Sequence, residues 1–267
     1  MFEAGAHQAS GLSGLAQRAR PRVVAIASHG DQDAELPLLW DLCSTYNGLG
    51  YSVAVIDATT FETEANPGLE HLMDQGYWKD EAGAGQSAWP VIPSGRHLAR
   101  LVHDERAGMA NLEQLTGNLQ KYSVVVIYGR PEVLLPLLTG SQIKPVLAVS
   151  AARMSRVTAY HALKLLLLSG RLHPTIVAMV GDRAPDSGRL TQDLCRNLQD
   201  CAMTFLGYQL DTLTVQFQRP DGGGYSSDMH ALALHLLESS TAGSGSTELS
   251  GRAHTVRRET SSLAGKH

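Results

Sequence analysis

Cysteine is scarce in this sequence and no apolar run is long. Three cysteines (Cys43, Cys195 and Cys201) occur in 267 residues, none in a CxxC pair. That excludes a disulfide framework and leaves no spacing for structural zinc. The most apolar stretch, residues 159–168, is interrupted by His161 and Lys164 and is too short to cross a bilayer. An excess of basic charge is also missing. Lys and Arg total 22 against 26 Asp and Glu, a net charge of −4, which argues against binding nucleic acid or membrane through bulk charge. The polar N-terminus carries no signal-peptide core. These absences lead us to expect a soluble protein of a reducing compartment. With 43% apolar and only 18% charged residues, the chain can build a sizeable core and is not globally disordered.

Short apolar, β-branched runs stand at 22–27, 52–57, 90–93, 123–128, 144–149 and 175–180. Most are apolar on both faces, as strands of a buried parallel sheet are. Helical periodicity lies between them, at 36–49, 98–119 (broken near Gly108), 155–168, 190–201 and 229–237. Alternating strands and helices imply βαβ units, hence a doubly wound, mainly parallel α/β sheet flanked by helices in a single domain over 21–238. Residues 1–20 read as a short helix and linker ended by Pro21, and 79–88 as an exposed loop. Residues 239–267 are about half Ser, Thr and Gly, too poor in apolar surface to offset their ordering entropy, and we expect them to be disordered. No internal repeat is visible.

In such a sheet ligands bind beyond the carboxyl ends of the strands. The first strand gives way to His29, Gly30, Asp31, Gln32, Asp33, Ala34, Glu35, Leu36 and Pro37. The place suits a phosphate loop but the residues do not. A phosphate cradle uses glycines for close backbone approach, a lysine for charge and a Ser or Thr for magnesium. Here there are one glycine, no lysine and three carboxylates, Asp31, Asp33 and Glu35. Facing carboxylates and a polyphosphate repel unless a cation intervenes. Two readings stay open: a divalent cation held by the acids, or a solvated acidic turn at a helix start, where negative charge is favourable. The turn is preferred, since no hydroxyl or amide ligand set accompanies the acids. Pro37 fits the first turn of a helix by its fixed φ.

The order of segments resembles the MinD/ParA family of deviant P-loop ATPases over residues 7–217. The family runs strand, KGGxGKT loop, helix, then a strand ending in Asp-Ala-Asp. Residues 51–59 fit that second strand, with Asp57 matching the first acid and Thr59 replacing the second. Residues 89–95, 120–128, 144–150 with 158–160, 175–183 and 205–208 are similar to later family segments. Within the family the likeness is greatest to flagellar regulators of the FlhG (FleN) type. These carry an Asp-Gln-Ala-x-x-Leu-Arg helix that contacts an FlhF-type GTPase. Here Gln8, Ala9 and Leu12 match, while His7 and Ser13 replace the Asp and Arg. Ala9, Leu12 and Leu15 would share a helical face. Gly11 and Gly14 each cost that helix about 1 kcal/mol relative to alanine, so it would order on a partner; the alternative is an unstructured leader.

The resemblance implies ATP hydrolysis, yet each chemical position departs from the family. The loop lysine and the lysine that crosses the dimer have no counterpart. Leu36 stands at the magnesium-binding hydroxyl, Tyr128 at the acid after the fourth strand, and Asp182 at the adenine-side Asn, with Arg183 beside it. Asp57 is the one retained acid, either to position water or simply to cap a turn, and the Tyr128 ring is a candidate to fill part of the pocket. Phosphoryl transfer relies on positioned cations and fixed dipoles, each worth a few kcal/mol. The expectation is a degenerate nucleotide site with no catalytic residue assigned, except Asp57 if activity survives. We expect no cofactor, with ATP and magnesium only if the loop still folds around phosphate.

His97 and His103 read as residues of a solvated helical face, and no metal site is expected. Arg252, Arg257 and Arg258 are too sparse for strong lipid binding. The apolar face of 229–237 fits core or membrane, core being commoner. The implied partners are an FlhF-like GTPase or another flagellar assembly protein, with no nucleic acid. The implied location is the bacterial cytoplasm, with weak peripheral contact at the inner membrane or cell pole. The alternatives are an active ATPase with an unusual loop, or an accessory protein of another envelope machine such as cellulose secretion or pilus placement.

Overall fold

The computed structural model describes residues 20–75, 89–103, 108–181, 187–217 and 226–241. The six apolar runs form six strands, β1 (Arg22–Ala27), β2 (Val53–Asp57), β3 (Val91–Pro93), β4 (Val124–Gly129), β5 (Val146–Val149) and β6 (Thr175–Gly181), and a segment outside those runs adds β7 (Thr212–Phe217). They make one sheet in the order β3-β2-β4-β1-β5-β6-β7, with every pair parallel. Parallel neighbours need long crossovers, and helices supply them. These are α1 (Gln32–Gly48), α2 (Gly68–Gln75), α3 (Gly95–His103), α4 (Gly108–Gly117), α5 (Pro131–Leu138), α6 (Arg153–Gly170), α7 (Ser187–Cys201) and α8 (Ser227–Thr241). The result is a doubly wound, parallel α/β domain.

Alternation along each strand divides the core into two layers. Val23, Ala25 and Ala27 join Val125, Ile127 and Leu147 beneath α2 to α7. Val24 and Ile26 join Val124, Val126 and Tyr128 beneath α1 and α8. Burying each Val, Leu or Ile contributes roughly 1.5–3 kcal/mol, which explains why the interior strands β4 and β5 are almost wholly apolar while the edge strand β7 carries Thr212, Thr214 and Gln216. Leu232, Ala233 and Leu236 of α8 are buried in the second layer, and the Tyr46 hydroxyl donates to the Ala233 carbonyl at 3.2 Å. The apolar face of that helix therefore belongs to the core. No helix among the described residues is long and apolar enough to cross a membrane.

Several boundaries differ from the periodicity. The helix expected at 36–49 begins at Gln32. The Asp31 carbonyl accepts from Ala34 N at 3.0 Å and Glu35 N at 2.9 Å, so the polar run Gln32 to Glu35, which has no apolar rhythm, is the first turn. Pro37 thus lies inside the helix and not at its start. Helices α2 and α5 were not marked by periodicity. Each has eight residues, α2 opening on a glycine, and α5 starting at Pro131, as a first-turn proline allows, and containing Pro136. The 98–119 pattern resolves into α3 and α4. Helix α8 runs to Thr241, three residues into the tail expected from composition. The remaining tail residues, the segment 79–88, and His7, Gln8, Ala9, Leu12 and Leu15 lie outside the described residues.

Candidate functional site at the carboxyl edge of the sheet

Strand order reverses direction around β1, since the chain passes to β2 and β3 on one side and to β5, β6 and β7 on the other. A crevice opens beyond the carboxyl ends at such a point. Three loops meet there: Ser28 to Asp31 after β1, Arg130 after β4, and Ser150 to Ala152 after β5.

The centre of this meeting is the carboxylate of Glu35, from the first turn of α1. The residue is fully buried. Its Oε1 accepts three consecutive backbone N–H groups, His29 at 2.7 Å, Gly30 at 3.0 Å and Asp31 at 3.1 Å. Its Oε2 accepts the Ser28 hydroxyl at 2.8 Å and the Tyr128 phenol at 2.6 Å. Successive N–H groups converging in this way form an anion-binding concavity, reinforced by the positive end of the helix. Taking a carboxylate out of water costs several kcal/mol. Hydrogen bonds to a charged group offset roughly 1.5–3 kcal/mol each, and Glu35 accepts from five donors. Among the described residues no Lys or Arg forms an ion pair with Glu35.

The loop conformation depends on Gly30, whose φ is +95° with open space where a Cβ would stand. Its constraint is therefore one of backbone conformation. Tyr128 reaches the carboxylate because alternation along β4 turns it toward α1 with Val124 and Val126. Burial, then the bond to Glu35 and the nearby charges of Glu35 and Asp57, hold its phenol above the ordinary range, against a smaller opposing effect of Ser28. It stays protonated and donates. The Tyr128 ring packs in the core layer, and what it offers the crevice is its hydroxyl.

His29 ties the loop to the other side of the switch point. Its Nε2 lies 2.7 Å from the Ala148 carbonyl, and its Nδ1 lies 2.8 Å from the Thr158 hydroxyl on α6. A carbonyl only accepts, so Nε2 carries a proton. The ring is also 3.7 Å from Glu35 Oε1. Asp31 makes the second tie: its Oδ2 accepts from Ser150 N at 3.1 Å and Ser150 Oγ at 2.7 Å.

The three loop acids therefore have three fates. Glu35 is buried in the cradle, Asp31 is buried against β5, and Asp33 is exposed. The preferred solvated turn holds only for Asp33. Glu35 and Asp31 are buried instead, because the helix starts early enough to fold Glu35 back over its own loop. Among the described residues no group of three or more His, Cys, Asp or Glu side chains is arranged to hold a metal. Leu36 is 46% exposed and offers no ligand atom.

Asp57 ends β2 beside Tyr128, its partner in the sheet register. Its Oδ1 accepts from Thr59 N at 2.9 Å and Thr59 Oγ1 at 2.6 Å, and its Oδ2 from Thr60 Oγ1 at 2.7 Å. The carboxylate closes its own turn, as the turn-capping reading requires. Asp182 and Arg183 lie outside the described residues.

Two features escaped the sequence reading. Glu62 is buried, and its carboxylate accepts from Arg96 N at 2.7 Å and His97 N at 3.0 Å at the start of α3. It takes the amides that the preceding Ser94 would normally cap, and the buried Ser94 hydroxyl has no partner. His97 is not on a solvated face as expected: it is half-buried, and its Nε2 is buried and likewise unpartnered. The only hint of Glu62's role was an acid in a polar loop, which is no signal by itself. The second feature is a rim of exposed apolar side chains at the carboxyl edge, with Leu36 in α1, Phe61 after β2, and Met154 and Val157 in α6.

The three loop amides are thus engaged by Glu35, the loop has no lysine, and both Asp57 oxygens accept from Thr59 or Thr60.

No family model matches the chain, and no curated protein matches it by sequence. Solved structures do match by fold. The cobyrinic acid a,c-diamide synthase from Mycobacterium smegmatis with bound ADP and magnesium aligns with a TM-score of 0.52 at 15% identity, over 82% of this chain and 94% of that one. The ATP complex of McdA from Cyanothece aligns with a TM-score of 0.51 at 11% identity, over 83% and 94%. At these identities the likeness is one of fold alone: a parallel sheet flanked by helices.

Proposed function

We propose that this chain is a non-catalytic regulatory scaffold of the FlhG/MinD kind, controlling flagellar number or placement through protein partners such as an FlhF-type GTPase. The observation that carries the nucleotide-independent part is Glu35: its carboxylate fills the backbone cradle at the position of a phosphate loop. A polyphosphate entering there would displace a buried, five-fold hydrogen-bonded anion and meet its charge. The absent lysine and the self-satisfied Asp57 support the same reading. The exposed Leu36, Phe61, Met154 and Val157 give the carboxyl edge the apolar character of a partner-binding surface. The segment containing His7, Gln8, Ala9, Leu12 and Leu15 is the proposed docking element for the GTPase. The proposed location is the bacterial cytoplasm, with peripheral contact at the inner membrane or pole.

The test is calorimetry of the purified protein with ATP and ADP, with and without magnesium. Absence of binding heat, together with capture of an FlhF-type GTPase by the full chain but not by a chain lacking residues 1–20, is the expected result. Micromolar, magnesium-dependent ATP affinity would overturn the nucleotide-independent part. The competing reading is an active ATPase, for which the fold's ADP and ATP complexes speak. It requires turnover that falls in Asp57→Ala. An accessory role in another envelope machine would show as capture of components of that machine and no binding to the flagellar GTPase.

A further inference from the structure

The mismatch between this site and a nucleotide has its own internal logic. Five donors converge on one small volume: three consecutive amides, one serine hydroxyl and one phenol. They come from the β1 loop, Ser28 to Asp31, and from Tyr128 at the end of β4, segments distant in the sequence. Without Glu35 the buried members of the cradle, Ser28, Asp31 N–H and Tyr128, would lose this acceptor, and a buried donor left unsatisfied costs roughly 1–3 kcal/mol. Gly30 adopts φ +95°, the conformation that turns the loop amides inward. The loop is thus built for an anion, and the fold's solved relatives include an ADP-bound form.

We infer that Glu35 is a resident ligand: the site is a true receptor for a tetrahedral oxyanion, and the chain's own carboxylate occupies it permanently in place of a phosphate. This rests on the nucleotide-independent reading above and goes one step further. The ligand is covalently part of α1, so its presence at the cradle does not depend on the concentration of a free anion. The loop, α1 and β4 are consequently held in one ligand-bound arrangement. His29 and Asp31 pass that arrangement to β5 and α6 through Ala148, Thr158 and Ser150. The partner surface at the carboxyl edge is then presented in a single state, with no off position.

The experiment is chemical complementation in the full-length protein. Glu35→Ala removes the carboxylate and leaves the five donors; Glu35→Gln fills the same space with a neutral amide whose NH2 faces N–H groups. Thermal unfolding is followed while inorganic phosphate is titrated against chloride at matched ionic strength. Amide exchange is read at His29, Gly30 and Asp31. The wild type should show no phosphate response. Glu35→Ala should melt lower, exchange those three amides at least tenfold faster, and recover both properties saturably with phosphate. Glu35→Gln should be destabilised and show no recovery.

If Glu35→Ala does not fold alone, phosphate-driven folding is the same test in stronger form. An alanine variant that folds or stays unfolded regardless of phosphate overturns the inference, because the cradle would then be only a helix start. A wild type that responds to phosphate as the variant does would also overturn it, because Glu35 would not be holding the site. ATP binding by the wild type is read separately by calorimetry, so failure here is distinguishable from failure of the functional reading.

Discussion

The Glu35 carboxylate and the Tyr128 phenol, 93 positions apart, share a 2.6 Å hydrogen bond that joins the first turn of α1 to the end of β4. A phenol held in its protonated form by burial, then by its bond to Glu35 and by adjacent negative charge, is the donor, and the carboxylate is the acceptor.

Tyr128→Phe keeps the ring and removes the donor. Glu35 Oε2 is then left with Ser28 alone. Stability should fall by about 1–3 kcal/mol, the cost of a lost bond to a buried charged group. Urea denaturation measures this, and a cycle with Ser28→Ala should show coupling, because both donors serve one oxygen.

Glu62→Ala should be gentler than its burial suggests. The carboxylate caps two amides of α3, but its removal frees them for the orphaned Ser94 hydroxyl at the preceding position. We expect a loss of about 1 kcal/mol, near the ordinary value of one cap. The double variant Glu62→Ala with Ser94→Ala should lose clearly more than the sum of the single changes.

Gly129→Ala should destabilise the sheet beside the site. A Cβ there would stand 2.8 Å from the Ala58 side chain, and overpacking of this kind costs roughly 1–3 kcal/mol. Adding Ala58→Gly should restore part of the loss, because it removes the atom in the way. Thermal melts of the three variants decide the matter.

Alkaline conditions should unfold the protein through its buried thiols. Burial pushes Cys43 up to about 12 and Cys195 up to about 11 from 9.0. A folded-state pKa above the unfolded value means that the folded state holds the proton more tightly. The associated stability is therefore intact below pH 9 and declines as pH rises from 9 toward 11–12. Melting temperatures across that interval should fall steadily, and the fall should shrink in Cys195→Ala when compared with that variant's own neutral-pH value.

The order of strands and helices was legible in the sequence because parallel strands are buried on both faces, and the β-branched runs at 22–27, 52–57 and 123–128 announce that burial directly. The place of the site followed from the topology such a pattern imposes, and the wrong residues for a phosphate loop were plain at Asp31, Asp33, Glu35 and Leu36. What each acid does was not legible. Asp31, Asp33 and Glu35 are the same kind of residue within five positions, yet one is tied to Ser150, one faces solvent and one fills the cradle. That division depends on where α1 starts, which side of β4 Tyr128 faces and where β5 delivers Ser150. These are matters of packing between segments more than 90 residues apart. Local sequence sets propensity and pattern within a turn or a strand. The partners that satisfy a buried charge come from elsewhere in the chain, and only the assembled sheet brings them within hydrogen-bonding distance.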